Sequence, residues 1–155
     1  MTNQINLVKI PFIFSEYENF QGMDVNLIYK GVKRDSNGVN LTGFVKEVKG
    51  NSEGFDVTGV YNRVEGISKG VSLTGFVNYS GEVDDFLIQY ATLKNEVKEV
   101  SEYAFVLQIG LWNKLGERYW PIINIHGIKK ISKLVKETFG KIKKHLEEKL
   151  RRDDY

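Results

Sequence analysis

Gly38-Val39-Asn40-Leu41-Thr42-Gly43-Phe44-Val45 returns as Gly54-Phe55-Asp56-Val57-Thr58-Gly59-Val60-Tyr61 and again as Gly70-Val71-Ser72-Leu73-Thr74-Gly75-Phe76-Val77, a period of 16 residues. A looser copy precedes them at Gly22-Met23-Asp24-Val25-Asn26-Leu27-Ile28-Tyr29. Two degenerate copies follow out of strict register, at Phe86–Tyr90 and Phe105–Trp112. Apolar residues alternate within each copy, as in Val39, Leu41, Val45 and in Val71, Leu73, Val77. That is the period of a strand with one buried face. The opposite face carries Asn40, Thr42, Phe44, Lys46 and is read as wet.

Turn-rich stretches separate the copies: 33–38, 49–54, 65–70, 78–84 and 113–118. Short turns favour antiparallel neighbours. With Leu7–Phe14 and Tyr119–Ile125 added, the alternation predicts an antiparallel β-meander of about eight strands, a curved sheet or a barrel. A parallel β-solenoid capped by a helix is the alternative, because a fixed 16-residue period would stack Thr on Thr and Gly on Gly. The meander is preferred because the alternation runs on through Val45 and Val48, giving strands of roughly ten residues.

The repeat unit, with Leu107-Gln108-Ile109-Gly110-Leu111-Trp112-Asn113 and Trp120-Pro121-Ile122-Ile123-Asn124-Ile125, resembles poorly characterised bacterial surface-repeat proteins across residues 20–126. That resemblance implies no catalytic activity. The chain departs from those proteins in showing no export signal.

At Gly127 the pattern changes. Ile128, Ile131, Leu134, Val135, Phe139, Ile142, Leu146 and Leu150 recur every three or four residues, which predicts an amphipathic helix over 127–152 after a β domain over 1–126, packed on that same domain. Segment 127–152 holds ten basic against three acidic residues, a net of +7, whereas residues 1–126 hold 12 basic against 15 acidic, a net of −3. Lys129, Lys130, Lys133, Lys136, Lys143 and Lys144 are the expected binding residues for any anionic surface, membrane or nucleic acid.

Chemistry is sparse. The chain contains no Cys, so disulfides and thiolate sites are excluded. His126 and His145, the two histidines, stand at no recognised metal or triad spacing. Phosphate-binding glycine loops and nucleophile elbows are absent from the sequence. Asp24 and Asp56 occupy equivalent repeat positions filled elsewhere by Asn40 and Ser72, and read as a polar sheet face. Gly43, Gly59 and Gly75 mark sheet curvature or the floor of a groove. No cofactor and no metal is expected. Without a signal peptide or an apolar run of spanning length, the chain is read as cytoplasmic, with no transmembrane helix.

The reading that follows is a noncatalytic structural or interaction module, with an unknown protein partner or self-association through sheet edges. A small β-barrel holding an apolar ligand is the alternative. Binding of an anionic membrane or nucleic acid through the helix is a second alternative, and an enzyme is not expected.

Overall fold

The computed structural model describes residues 6–127, with side chains from residue 13 onward. It contains eleven strands: β1 (Asn6–Tyr17), β2 (Phe20–Val32), β3 (Ser36–Thr42), β4 (Val45–Val48), β5 (Ser52–Thr58), β6 (Tyr61–Thr74), β7 (Val77–Val83), β8 (Phe86–Ala91), β9 (Lys94–Val100), β10 (Phe105–Leu115) and β11 (Arg118–His126). All pairs are parallel except the terminal hairpin of β10 and β11. The repeat therefore builds a solenoid. Met23 pairs with Val39, Val39 with Phe55, and Phe55 with Val71, so each residue sits on its own repeat equivalent.

Each coil contributes to two faces. On the first face, the start of β2 is followed by β3, β5, the Ser68–Thr74 part of β6, β8, the start of β10, and then β11. On the second, the end of β2 is followed by β4, the start of β6, β7, β9 and the end of β10. Six coils stack in this way above β1. The degenerate copies are real coils: Val71 pairs with Ile88 and Ile88 with Leu107, steps of 17 and 19 residues in place of 16. The extra residues fall at or near corners, and the ladder continues past them, with one register shift between Val64 and Ile67 where β6 pairs with β7.

The expected meander is thus replaced by the solenoid, and the reason lies at Gly43-Phe44. These two residues turn the corner between β3 and β4, and both are exposed. A two-residue corner preserves the phase of the alternation, so Val45 and Val48 read as a continuation of β3 when they belong to the other face. The segment expected to be helical lies beyond Gly127, outside the described residues.

The inside and outside are also exchanged relative to the sequence expectation. Asn40, Thr42 and Lys46 are buried, whereas Val39, Leu41 and Val45 lie on the outer surface, half-buried against their stacked equivalents. Many of these polar groups tolerate the interior because stacking places them beside a donor or acceptor one coil away, although the Thr42, Thr58, Ser36 and Ser68 hydroxyls make no hydrogen bond. Asn62, Asn78, Asn95 and Asn113 form one column, their amides linked at 3.3, 3.1 and 2.9 Å. Gln89, Gln108 and Asn124 form a second, linked at 3.0 and 3.0 Å. Apart from Ala91, the buried apolar side chains among the described residues fall in two clusters: Phe20, Val32, Val48 and Val64 in the early coils, and Val83, Leu87, Val97, Ala104, Val106 and Leu115 in the later ones.

Candidate interaction surface

The charged residues of the early coils are used inside the fold. Lys30 and Lys46 take the place that Asn62, Asn78, Asn95 and Asn113 hold in later coils, and both are 0% exposed. The Lys30 ammonium lies 3.0 Å from the Asp24 carboxylate, donates to Asn40 Oδ1, and sits 3.2 Å from the centre of the Phe20 ring. Lys46 lies 2.6 Å from Asp56, which also accepts from Asn40 Nδ2 at 2.7 Å and Ser52 Oγ at 3.0 Å. Burial pulls the Lys30 ammonium down to about 8, against the pull of Asp24 in the other direction. Lys46 is lowered by burial as well, with Asp56 again opposing. These groups are paired and shielded from solvent, which suits a structural role; none opens into a cleft where a substrate would meet it.

A cavity of about 10 Å³ lies in this interior, lined by Ser52, Asp56, Asn62, Ser68 and Ser72. It has room for about one water molecule. Among the described residues no cluster of three or more His, Cys, Asp or Glu side chains is placed to hold a metal ion. No described helix is long and apolar enough to cross a membrane.

Gly43, Gly59 and Gly75, the expected curvature or groove residues, stack at the corner between the two faces. A Cβ at Gly59 would stand 1.7 Å from the Gly43 carbonyl oxygen, and one at Gly75 1.9 Å from that of Gly59. The row is a close stack of backbone, and glycine is what lets one coil settle on the next. Beside it runs a ridge. Val60 N donates to Phe44 O at 3.0 Å, Phe76 N to Val60 O at 3.2 Å, Leu93 N to Phe76 O at 3.1 Å, and Trp112 N to Leu93 O at 2.9 Å. This backbone ladder aligns the side chains Phe44, Val60, Phe76 and Leu93 along the solenoid, and Trp112, which pairs with Lys94, stands beside Leu93 where the second face begins. Phe44, Phe76 and Trp112 are 55%, 48% and 62% exposed.

The outer surface of the first face is apolar over its whole length. One row comprises Met23, Val39, Phe55, Val71, Ile88, Leu107 and Ile125, and the next comprises Val25, Leu41, Val57, Leu73, Tyr90, Ile109 and Ile123. The second face is mixed, with Glu47, Arg63, Glu96 and Lys114 among its outward residues. Partial burial, the largest single influence, pushes Glu96 up, but the hydrogen bonds and charges of Lys94 and Lys114 together outweigh it and hold the carboxyl below the usual range. Charges crowd the corner opposite the ridge, at Lys33, Arg34, Asp35, Lys49, Glu65, Glu82, Asp84, Lys98, Glu99 and Glu102.

At the carboxyl end, Trp112, Tyr119, Trp120 and Ile122 are exposed around the last hairpin, and Ile122 adopts a left-handed φ of 68°. A cavity of about 210 Å³ opens there, lined by Leu115, Arg118, Trp120, Ile123, Asn124, Ile125 and His126. His145 and the binding candidates Lys129, Lys130, Lys133, Lys136, Lys143 and Lys144 lie outside the described residues. Sequence reasoning missed the Lys30–Asp24 and Lys46–Asp56 pairs, although the signal was present: each pair repeats at 16-residue spacing for its lysine and 32 for its aspartate.

Comparison with protein-family models, with curated proteins and with solved structures finds no significant match to this chain.

Proposed function

We propose that the chain is a noncatalytic interaction module that uses the ridge Phe44, Val60, Phe76 and Leu93, with Trp112 at its flank, to dock a partner protein. The observation that carries this reading is the exposure of large apolar side chains on a backbone ladder, with Phe44, Phe76 and Leu93 in one row and Trp112 at its flank. Such anchors are the residues that contribute most at protein interfaces, and a rigid scaffold spares them the entropy of being ordered on binding. The interior supports it from the other side, since its ionisable groups are committed to one another. Resemblance to surface-repeat proteins, which implies no catalysis, agrees.

The test replaces Phe44, Phe76 and Trp112 by Ser together. A purified partner recovered with the native chain is expected to bind the triple variant at least about tenfold more weakly, as loss of a hot-spot cluster does. Unchanged affinity for every such partner overturns the ridge as the docking surface.

A second reading is the binding of a small apolar ligand. It rests on the 210 Å³ cavity at the carboxyl end, where Leu115, Trp120, Ile123 and Ile125 supply apolar walls. An environment-sensitive naphthylamine dye should bind the native chain and lose binding on Leu115→Arg; dye binding that survives this change excludes the cavity.

A further inference from the structure

The first face leaves two rows of apolar side chains on the outside of the solenoid, with Met23, Phe55, Tyr90, Ile123 and Ile125 exposed. Patches of this extent on a folded domain are normally covered. We propose that residues 128–150 of the same chain lie along this face and cover it, running from β11 back toward β2.

The place where the chain leaves the fold supports this. Ile125 pairs with Leu107 and His126 with Val106, so the last described strand ends on the first face, beside the row that begins at Met23. The length fits. Seven strands from β2 to β11 make six spacings of roughly 4.8 Å, or roughly 29 Å. A helix over the 23 residues from 128 to 150 spans about 34 Å. Its stripe, Ile128, Ile131, Leu134, Val135, Phe139, Ile142, Leu146 and Leu150, is apolar along that whole length, as the face is.

Charge points the same way. Residues 127–152 carry a net of +7 against −3 for residues 1–126. Glu53, Asp84, Asp85 and Glu102 border the first face where its strands begin, with Lys69 bridging Glu53 and Asp85 at 3.6 and 3.2 Å. Tethering favours this occupant over a second copy, since a segment joined directly to the face acts at an effective concentration in the millimolar range, roughly. The 210 Å³ cavity at the end of the stack is too small to take eight apolar side chains.

The chain has no Cys, so a single introduced thiol reports without interference. In the full chain, Phe55→Cys is expected to react with a maleimide about tenfold more slowly than Lys98→Cys at the charged corner, a protection that reports local cover. Adding Leu134→Asn, Phe139→Asn and Ile142→Asn should restore Phe55→Cys to the Lys98→Cys rate. Equal rates in the native chain overturn the proposal, as does protection that survives the three asparagines. Protection that fades on dilution assigns the face to a second copy and also overturns it. Should the asparagine variant lose its strand signal, spin labels on Phe55→Cys and Val135→Cys in the otherwise native chain decide: a short, narrow distance distribution supports the docking, and a broad one overturns it.

Discussion

The Lys46 ammonium meets the Asp56 carboxylate at 2.6 Å in the interior of the solenoid, joining the second face of one coil to the first face of the next. One coil later the same bridge is made without charge, by Asn62 donating to Ser72 Oγ at 2.6 Å. One scaffold thus carries two solutions to the same contact. Asp56→Ala strands a buried ammonium and is expected to cost about 3–5 kcal/mol. The double change Lys46→Asn with Asp56→Ser transplants the neutral solution and should retain most of the native stability. Urea unfolding of the three chains checks this, and a double variant as unstable as Asp56→Ala would refute it.

Lys30 gives a pH dependence. Its folded-state value is lowered to about 8 from an ordinary 10.5 by burial. Between those values the unfolded chain holds a proton that the folded chain has released, so deprotonation favours the fold. Stability is expected to rise from pH 8 to pH 9.5, with no contribution of Lys30 to the slope below about pH 7. Above that window the folded-state values of Tyr17 and Tyr29, raised chiefly by burial, work in the opposite direction. Denaturation midpoints at intervals across the range should show the rise, and Lys30→Met should reduce it, the rise that remains coming from Lys46, which burial lowers in the same direction.

The glycine stack predicts a sharp local intolerance. Gly59→Ala places a methyl 1.7 Å from the Gly43 carbonyl oxygen, which only separation of the coils relieves. The expected loss is about 1–3 kcal/mol, typical of overpacking, and therefore several degrees in Tm. Gly116 meets nothing nearer than 3.9 Å but has a φ of +59°. Its substitution by Ala should cost about 1 kcal/mol through backbone strain alone. Calorimetry that ranks Gly116→Ala as the more damaging change would contradict the stack.

Exchange of inside and outside gives a fourth test. Asn78 bonds to Asn62, Ser72, Thr74, Asn95 and the Tyr90 carbonyl, whereas neighbouring Val77 lies on the outer surface. Asn78→Leu orphans several buried partners at about 1–3 kcal/mol each. Val77→Thr should cost less than about 1 kcal/mol, as half-exposed positions do. The reverse order in thermal unfolding would mean that the apolar side faces inward.

The repeat and its strands were legible in the sequence, because a period that stacks like on like leaves the same residues at the same spacing. Parallel pairing was legible as an alternative and lost to the meander for one reason: the corner at Gly43-Phe44 keeps the alternation in phase. The polar interior was not legible from hydropathy, which assigns Leu41 inward and Asn40 outward. It was legible from column spacing, since Asn62, Asn78, Asn95 and Asn113 recur at steps of 16, 17 and 18 residues that lengthen as the coils do. The ridge was hidden within the repeat, where Phe44 and Phe76 read as isolated aromatics on a wet face. Only the backbone ladder lines them up with Val60 and Leu93 and brings Trp112 beside them.

The terminal hairpin bears on a hazard built into such a molecule. A stack in which every coil offers the same register to the next is, in miniature, the geometry of a cross-β fibre, and nothing in the repeat tells it to stop. β11 runs against that direction, carries Pro121 without an amide hydrogen, and bends at Ile122. Polymerisation end to end would have to begin on the one described strand whose polarity and shape differ from those of the others, which opposes growth beyond a single molecule.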